Sequence, residues 1–152
     1  MCLLCERIQQ IKDNKNPYFV KELETGYVVI GDHQRFYGYT LFLSKTHVTE
    51  LHLLEKKTRE KYLLEMALVS EACYKAFKAD KMNIESLGNG DAHLHFHLFP
   101  RKQGDMPIKG PVWWVPKEEM YDESQRPSMK ELEKLKHQLK NELDKLLKER
   151  SQ

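Results

Sequence analysis

The chain has no long apolar stretch. No aliphatic run exceeds three residues, as at Val28-Val29-Ile30, which is far short of a spanning helix or the apolar core of a signal peptide. An excess of one charge is missing too. The 25 lysines and arginines face 23 acidic residues, for a net charge of +2, so there is no bulk electrostatic case for nucleic acid or a membrane surface. Cysteine is scarce and odd in number, with three in all, two of them as Cys2-Leu-Leu-Cys5. In a reducing compartment that spacing points to metal or redox chemistry before a structural disulfide. A cytoplasmic location is the expectation. No internal repeat or low-complexity segment is visible.

What is present describes an ordinary soluble protein. The 152 residues are 40% hydrophobic and 32% charged, enough for one domain that buries roughly two-thirds of its unfolded surface. Residues 1–12 read as a short capped helix or turn carrying the cysteine pair, ended by Pro17. Tyr18 to Leu23 and Gly26 to Ile30 are β-rich runs around Glu24-Thr25-Gly26, the pattern of a hairpin. Phe36 to Leu43 alternates as a third strand, with Tyr37, Tyr39, Leu41 and Leu43 on one side. Short links make an antiparallel sheet the natural arrangement. Thr49 is placed to cap a short helix holding Leu51, Leu53 and Leu54. A longer helix is expected from Lys56 to Ala79, with a stripe of Tyr62, Met66, Val69, Cys73 and Phe77. Cys73 on that stripe reads as a small core residue. Met82 to Leu87 is a fourth strand, and the turn cluster Gly88-Asn89-Gly90-Asp91 leads into a fifth.

That fifth run is the feature around which the chain is organised: His93-Leu94-His95-Phe96-His97-Leu98-Phe99-Pro100-Arg101. Side chains alternate across a strand, so the three histidines share one face while Leu94, Phe96 and Leu98 enter a core. Three chemistries suit such a row: a solvated polar face, a metal-binding strip, or nucleophilic catalysis at phosphorus. Imidazole is partly neutral near pH 7 and departs easily from phosphorus, and neighbouring imidazoles supply N–H donors to phosphate oxygens.

Beyond Arg101 the pattern dissolves. Residues 102–125 hold Gly104, Pro107, Gly110, Pro111 and Pro116 around Trp113-Trp114, a long loop of the kind that is usually functional or floppy. Ser128-Met129-Lys130-Glu131 then matches a capping box. Leu132, Leu135, Leu139, Leu143 and Leu146 form a stripe on the following helix, which packs on the domain or on a second subunit. Three stretches of one domain result: a core over 1–101, the loop over 102–125 and a helix over 126–152.

The motif resembles the signature of the histidine triad family of nucleotide hydrolases and transferases. The likeness extends to Cys2-x-x-Cys5, the Gly38-Tyr-Thr-Leu-Phe-Leu-Ser-Lys45-Thr-His47 segment, the long helix and Asn89-Gly90, and covers about residues 1–101. It implies an α+β fold with about five antiparallel strands, helices on one side, and a homodimer whose sheets join. It implies that His95 attacks the α-phosphate of a nucleoside phosphate derivative, and that water hydrolyses the nucleotidyl-histidine. By the same likeness His97 binds phosphate, Asn89 lies near it, and Asp32 takes the ribose hydroxyls or merely forms a turn. Cys2, Cys5, His47 and His93 match a zinc set found in bacterial members. Two thiolates and two neutral imidazoles make a closed, structural site; the bland alternative is surface cysteines at a frayed terminus.

The chain departs from the family pattern in one place. Only Gly90-Asp91-Ala92 separates Asn89 from His93, which removes the leaving-group donor that many members carry there. Histidine at 97, where the related uridylyltransferases have glutamine, favours hydrolysis over transfer. Lys45 reads as solvated, whereas Trp113 and Trp114 suit base stacking or packing equally. The expectation is a zinc-stapled hydrolase of dinucleoside polyphosphates or adenosine phosphoramidates. The alternatives are a nucleotide-binding or adaptor module without catalysis, and a hydrolase using the histidines as catalytic metal ligands.

Overall fold

The computed structural model describes residues 2–150; the ends of the terminal segments expected above, residue 1 and residues 151 and 152, lie outside it. Helix α1 (Leu3–Lys12) is followed by β1 (Phe19–Glu22), β2 (Gly26–Ile30) and β3 (Thr40–Ser44). Then come α2 (Lys56–Ala76), β4 (Lys81–Glu85) and β5 (His95–Arg101). A short α3 (Lys117–Met120) and the long α4 (Met129–Arg150) complete the chain. The five strands form one antiparallel sheet in the order β1-β2-β3-β5-β4, so the fold is α+β as expected. No helix among the described residues is long and apolar enough to cross a membrane.

The sheet has two unlike faces. Val28, Ile30, Phe42, Phe96 and Leu98 point to the side covered by α2 and α4, where they pack with Tyr62, Val69, Cys73 and the five buried leucines of the α4 stripe. The serine half of the capping box that starts α4 is present, with the Glu131 N–H donating to Ser128 Oγ at 3.2 Å. Glu65 of α2 accepts from the Glu24 and Thr25 N–H groups and the Thr25 hydroxyl, fixing the β1–β2 turn to the helix. The other face carries Tyr27, Val29 and Leu43 beneath Leu4, Ile8 and Ile11 of α1. Further along, it carries Phe99 in a small cluster with Phe36, Val112, Val115 and Met120.

Several boundaries differ from the sequence reading. Helix α1 ends at Lys12, because Asn14 takes a left-handed turn (φ 56°) well before Pro17. The third strand begins only at Thr40: Gly38 (φ 92°) turns the chain, and a Cβ there would lie 2.4 Å from the Phe77 ring. Phe36 is thereby released into the small cluster. Thr49 caps nothing; the turn at Leu51–Leu53 starts after Glu50 and has no side-chain cap. Helix α2 stops at Ala76, closed by Lys78 in the left-handed region (φ 52°). Residues 102–125 are built rather than floppy. They contain single helical turns at Val112–Trp114 and Glu123–Gln125 as well as α3.

Arg101, the last motif residue, explains much of that order. It is buried and pairs bidentately with Asp105, donates to Asn83 Oδ1 and the Gly110 carbonyl, and lies over the Phe36 ring. The guanidinium beside Asp105 holds that carboxyl below its ordinary range.

Candidate active site and metal centre

Strand β5 places His95 and His97 on the face opposite the α2–α4 core, with Leu41 opposite His97 and Leu43 opposite His95 on β3. His93 precedes the strand, in a bend. The expected row is therefore split by backbone geometry. Its three members also meet different partners.

His95 is 6% exposed, and its Nδ1 lies 2.6 Å from the His93 carbonyl oxygen. A carbonyl only accepts, so Nδ1 carries the ring proton and Nε2 keeps a free lone pair. Beside the same strand, the Ser86 hydroxyl donates to the His95 carbonyl at 2.9 Å. His97 lies edge-on to His95, ring centroids 4.8 Å apart. Its Nδ1 is 2.7 Å from the Tyr39 hydroxyl. Burial, and then the nearby His95, push His97 down to about 4, so it is a neutral imidazole at neutral pH.

His93 turns the other way. Its Nε2 donates to the Ser44 carbonyl at 2.7 Å, which bares Nδ1. That Nδ1 faces Cys2 Sγ at 3.6 Å, Cys5 Sγ at 3.5 Å and His47 Nδ1 at 3.0 Å. Cys5 Sγ is 3.2 Å from His47 Nδ1, and the four donor atoms all lie within 4.8 Å of one another. Metal–sulfur and metal–nitrogen bonds of about 2.3 and 2.0 Å give a tetrahedron with edges of roughly 3.3–3.8 Å. The four donors come close to that shape, and burial lowers the His93 pKa, keeping the ring neutral as a ligand must be. Asp91 ties this corner together. Its carboxylate accepts from the His93 and Leu4 N–H groups, joining the bend to the first turn of α1.

A cavity of about 290 Å³ opens beside His97. Its walls come from α1 (Leu3, Leu4, Arg7), from the sheet (Leu41, Leu43, Phe99) and from the 111–126 segment (Trp113, Met120, Tyr121). Asp32 lines it as well, with both carboxylate oxygens taken by Arg7 at 3.2 and 2.8 Å and Arg126 at 3.9 Å. Asn89 is exposed in its turn and is not among the lining residues. Trp113 stands edge-on to His97 and Phe99 and donates to Glu85, while Trp114 is exposed. Lys45 pairs with Glu22 at the surface.

Set beside known proteins, residues 14–104 match the family model described as the HIT domain. The chain belongs to the HIT domain family. Solved structures with the same fold include a histidine triad protein from Marinobacter aquaeolei VT8, 24% identical over 96% of this chain and 98% of that one, TM-score 0.74. A hypothetical histidine triad nucleotide-binding protein from Sulfolobus tokodaii is 22% identical over 93% of each chain, TM-score 0.71. A Zn-bound histidine triad family protein from Mycobacterium smegmatis is 20% identical over 97% and 96%, TM-score 0.69. No curated protein matches at a significant level. The cluster of Cys2, Cys5, His47 and His93 in this HIT protein is compatible with zinc.

Three residues of the site escaped the sequence reading. Tyr39 shares the alternation of Leu41 and Leu43, a signal that became meaningful only once β3 was paired with β5. Asp91 stands two residues before His93, a spacing that suits a side-chain-to-backbone bond. Arg7 left no signal, because its partner lies 25 positions away.

Proposed function

We propose that this HIT protein hydrolyses nucleoside phosphoanhydrides or phosphoramidates, of the dinucleoside polyphosphate or adenosine phosphoramidate type, through a nucleotidyl-His95 intermediate. The observation that carries the reading is the His95 Nδ1–His93 carbonyl bond at 2.6 Å, which leaves Nε2 as a lone pair on a rigid strand. In the first step Nε2 forms a bond to the α-phosphorus as the bond to the leaving group breaks, and that bonding pair departs with the leaving group. The ring becomes cationic, and the His93 carbonyl on Nδ1–H stabilises the charge. Water then attacks phosphorus and loses a proton to solvent, the P–N pair returns to Nε2, and a nucleoside monophosphate is released. His97 offers phosphate oxygens a neutral N–H rather than a cation. Asp32, held by Arg7, has remaining lone pairs for ribose hydroxyls in the cavity, whose volume suits one nucleoside.

Zinc at Cys2, Cys5, His47 and His93 is structural in this reading, since four protein donors leave no open position for substrate. It would pin α1, one wall of the cavity, to the bend before His95. Asn89 keeps a proposed place near the phosphate from a neighbouring turn. A homodimer fits the edge position of β4, which pairs only with β5 among the described residues and exposes Ile84.

Incubation with an adenosine phosphoramidate and a dinucleoside polyphosphate, wild type against His95→Ala, tests the proposal. Cleavage by the wild type alone supports it. Nucleotide binding without cleavage would leave a binding module instead, and a His95→Ala variant with full rate would refute the mechanism.

A further inference from the structure

The turn at Gly38 delivers Tyr39 to the histidine face, and its ring is seated with care. A Cβ at Gly31 would come within 2.2 Å of it, and Phe99 stacks on it with centroids 4.0 Å apart and planes 7° apart. The His97 ring follows nearly parallel, at 21°. The only titratable side chains in this stack are Tyr39 and His97. We propose that Tyr39 is a positioning residue: its hydroxyl, 2.7 Å from His97 Nδ1, fixes His97 as the tautomer that presents an Nε2–H to phosphate. This role rests on the hydrolase reading above.

Two arrangements of the bond are conceivable, and one fits. If Nδ1–H donated to the phenol oxygen, the Tyr39 O–H would have no protein acceptor among the described residues. With the hydroxyl donating to the Nδ1 lone pair, both groups are satisfied and the single ring proton sits on Nε2. Burial raises the Tyr39 pKa and lowers that of His97, so the phenol keeps its proton and the imidazole stays neutral. The same burial argues against a relay. Passing the Tyr39 proton through His97 would leave a phenolate where the charged form is already disfavoured. The hydroxyl orients; it does not transfer. A neutral histidine without this partner would divide its proton between two nitrogens, and only part of the population would face phosphate with a donor.

The test is a long-range proton–nitrogen spectrum of histidine-labelled protein, which separates protonated from bare ring nitrogens. At neutral pH wild-type His97 is expected as the Nε2–H form alone. Tyr39→Phe keeps the stack and removes the hydroxyl, and is expected to give a tautomer mixture. Its kcat should fall roughly tenfold, the worth of one hydrogen bond, with KM within about twofold. In a His97→Ala background the same change should cost nothing further. A wild-type spectrum with Nδ1 protonated, or a Tyr39→Phe spectrum identical to wild type, would overturn the tautomer lock. The wild-type spectrum decides this even if the variant does not fold. Absence of turnover in the wild type would instead overturn the hydrolase reading, and the phosphate role of His97 with it.

Discussion

The two faces of the sheet are built on different rules. The face under α2 and α4 is an apolar layer in which Val28, Phe42 and Leu98 are fully buried, and any side chain of similar shape would serve much of its purpose. The opposite face has two smaller apolar clusters, and its histidine region is a set of directional bonds: His95 on the His93 carbonyl, His97 on Tyr39, His93 on Ser44, and Asp32 on Arg7. Damage to the first should lower stability across the molecule, whereas damage to the second should change chemistry at one point. A single strand, β5, serves both, with Phe96 and Leu98 on one side and His95 and His97 on the other.

His95→Ala should abolish turnover while leaving the unfolding midpoint close to wild type; a loss of fold comparable to the loss of rate would merge the two faces. Phe42→Ala, on the apolar face, should cost about 3–5 kcal/mol in denaturant unfolding while the surviving folded fraction keeps its specific activity. Metal chelation should lower the melting temperature of wild type, because an ion held at Cys2, Cys5, His47 and His93 would stabilise the folded chain. Cys5→Ala should begin low and be insensitive to the chelator. Equal sensitivity of both would remove the metal from the account.

The pH response is smaller. The folded His97 pKa of about 4 lies below the ordinary value of 6.5. The unfolded chain therefore binds the extra proton first as pH falls, and stability drops between about pH 6.5 and 4. The difference is at most on the order of 3 kcal/mol. Urea unfolding at both ends of that window, wild type against His97→Gln, isolates the effect, and equal slopes for the two would contradict it. Smallest of all, Arg7→Met should shift stability by no more than about 1 kcal/mol, since the ion pair is partly exposed. It should still raise KM several-fold for a ribonucleotide and leave a dideoxy analogue unaffected.

The two faces also differed in how far the sequence disclosed them. The apolar face obeys periodicity, so the stripe on α2, the leucines of α4 and the alternation of β5 could be read directly, with errors at element ends, as where Asn14, Gly38 and Lys78 turn the chain. The histidines announced themselves by spacing. Their division came from the family likeness and not from spacing, because whether His93 faces Cys2 and Cys5 or stays in line with His95 depends on a bend held by Asp91. Residues 102–125 were opaque for a related reason: Arg101 and Asp105 hold an irregular path that has no period. Arg7 and Asp32 meet only because α1 packs across the sheet.

The division of the histidine row is the central claim, and rapid chemical quenching with peptide mass analysis tests it most directly. After brief exposure to an adenosine phosphoramidate, the account predicts one nucleotidyl group on His95 and none on His93 or His97. A nucleotidyl group on either of those two, or turnover by His95→Ala at the wild-type rate, would contradict it.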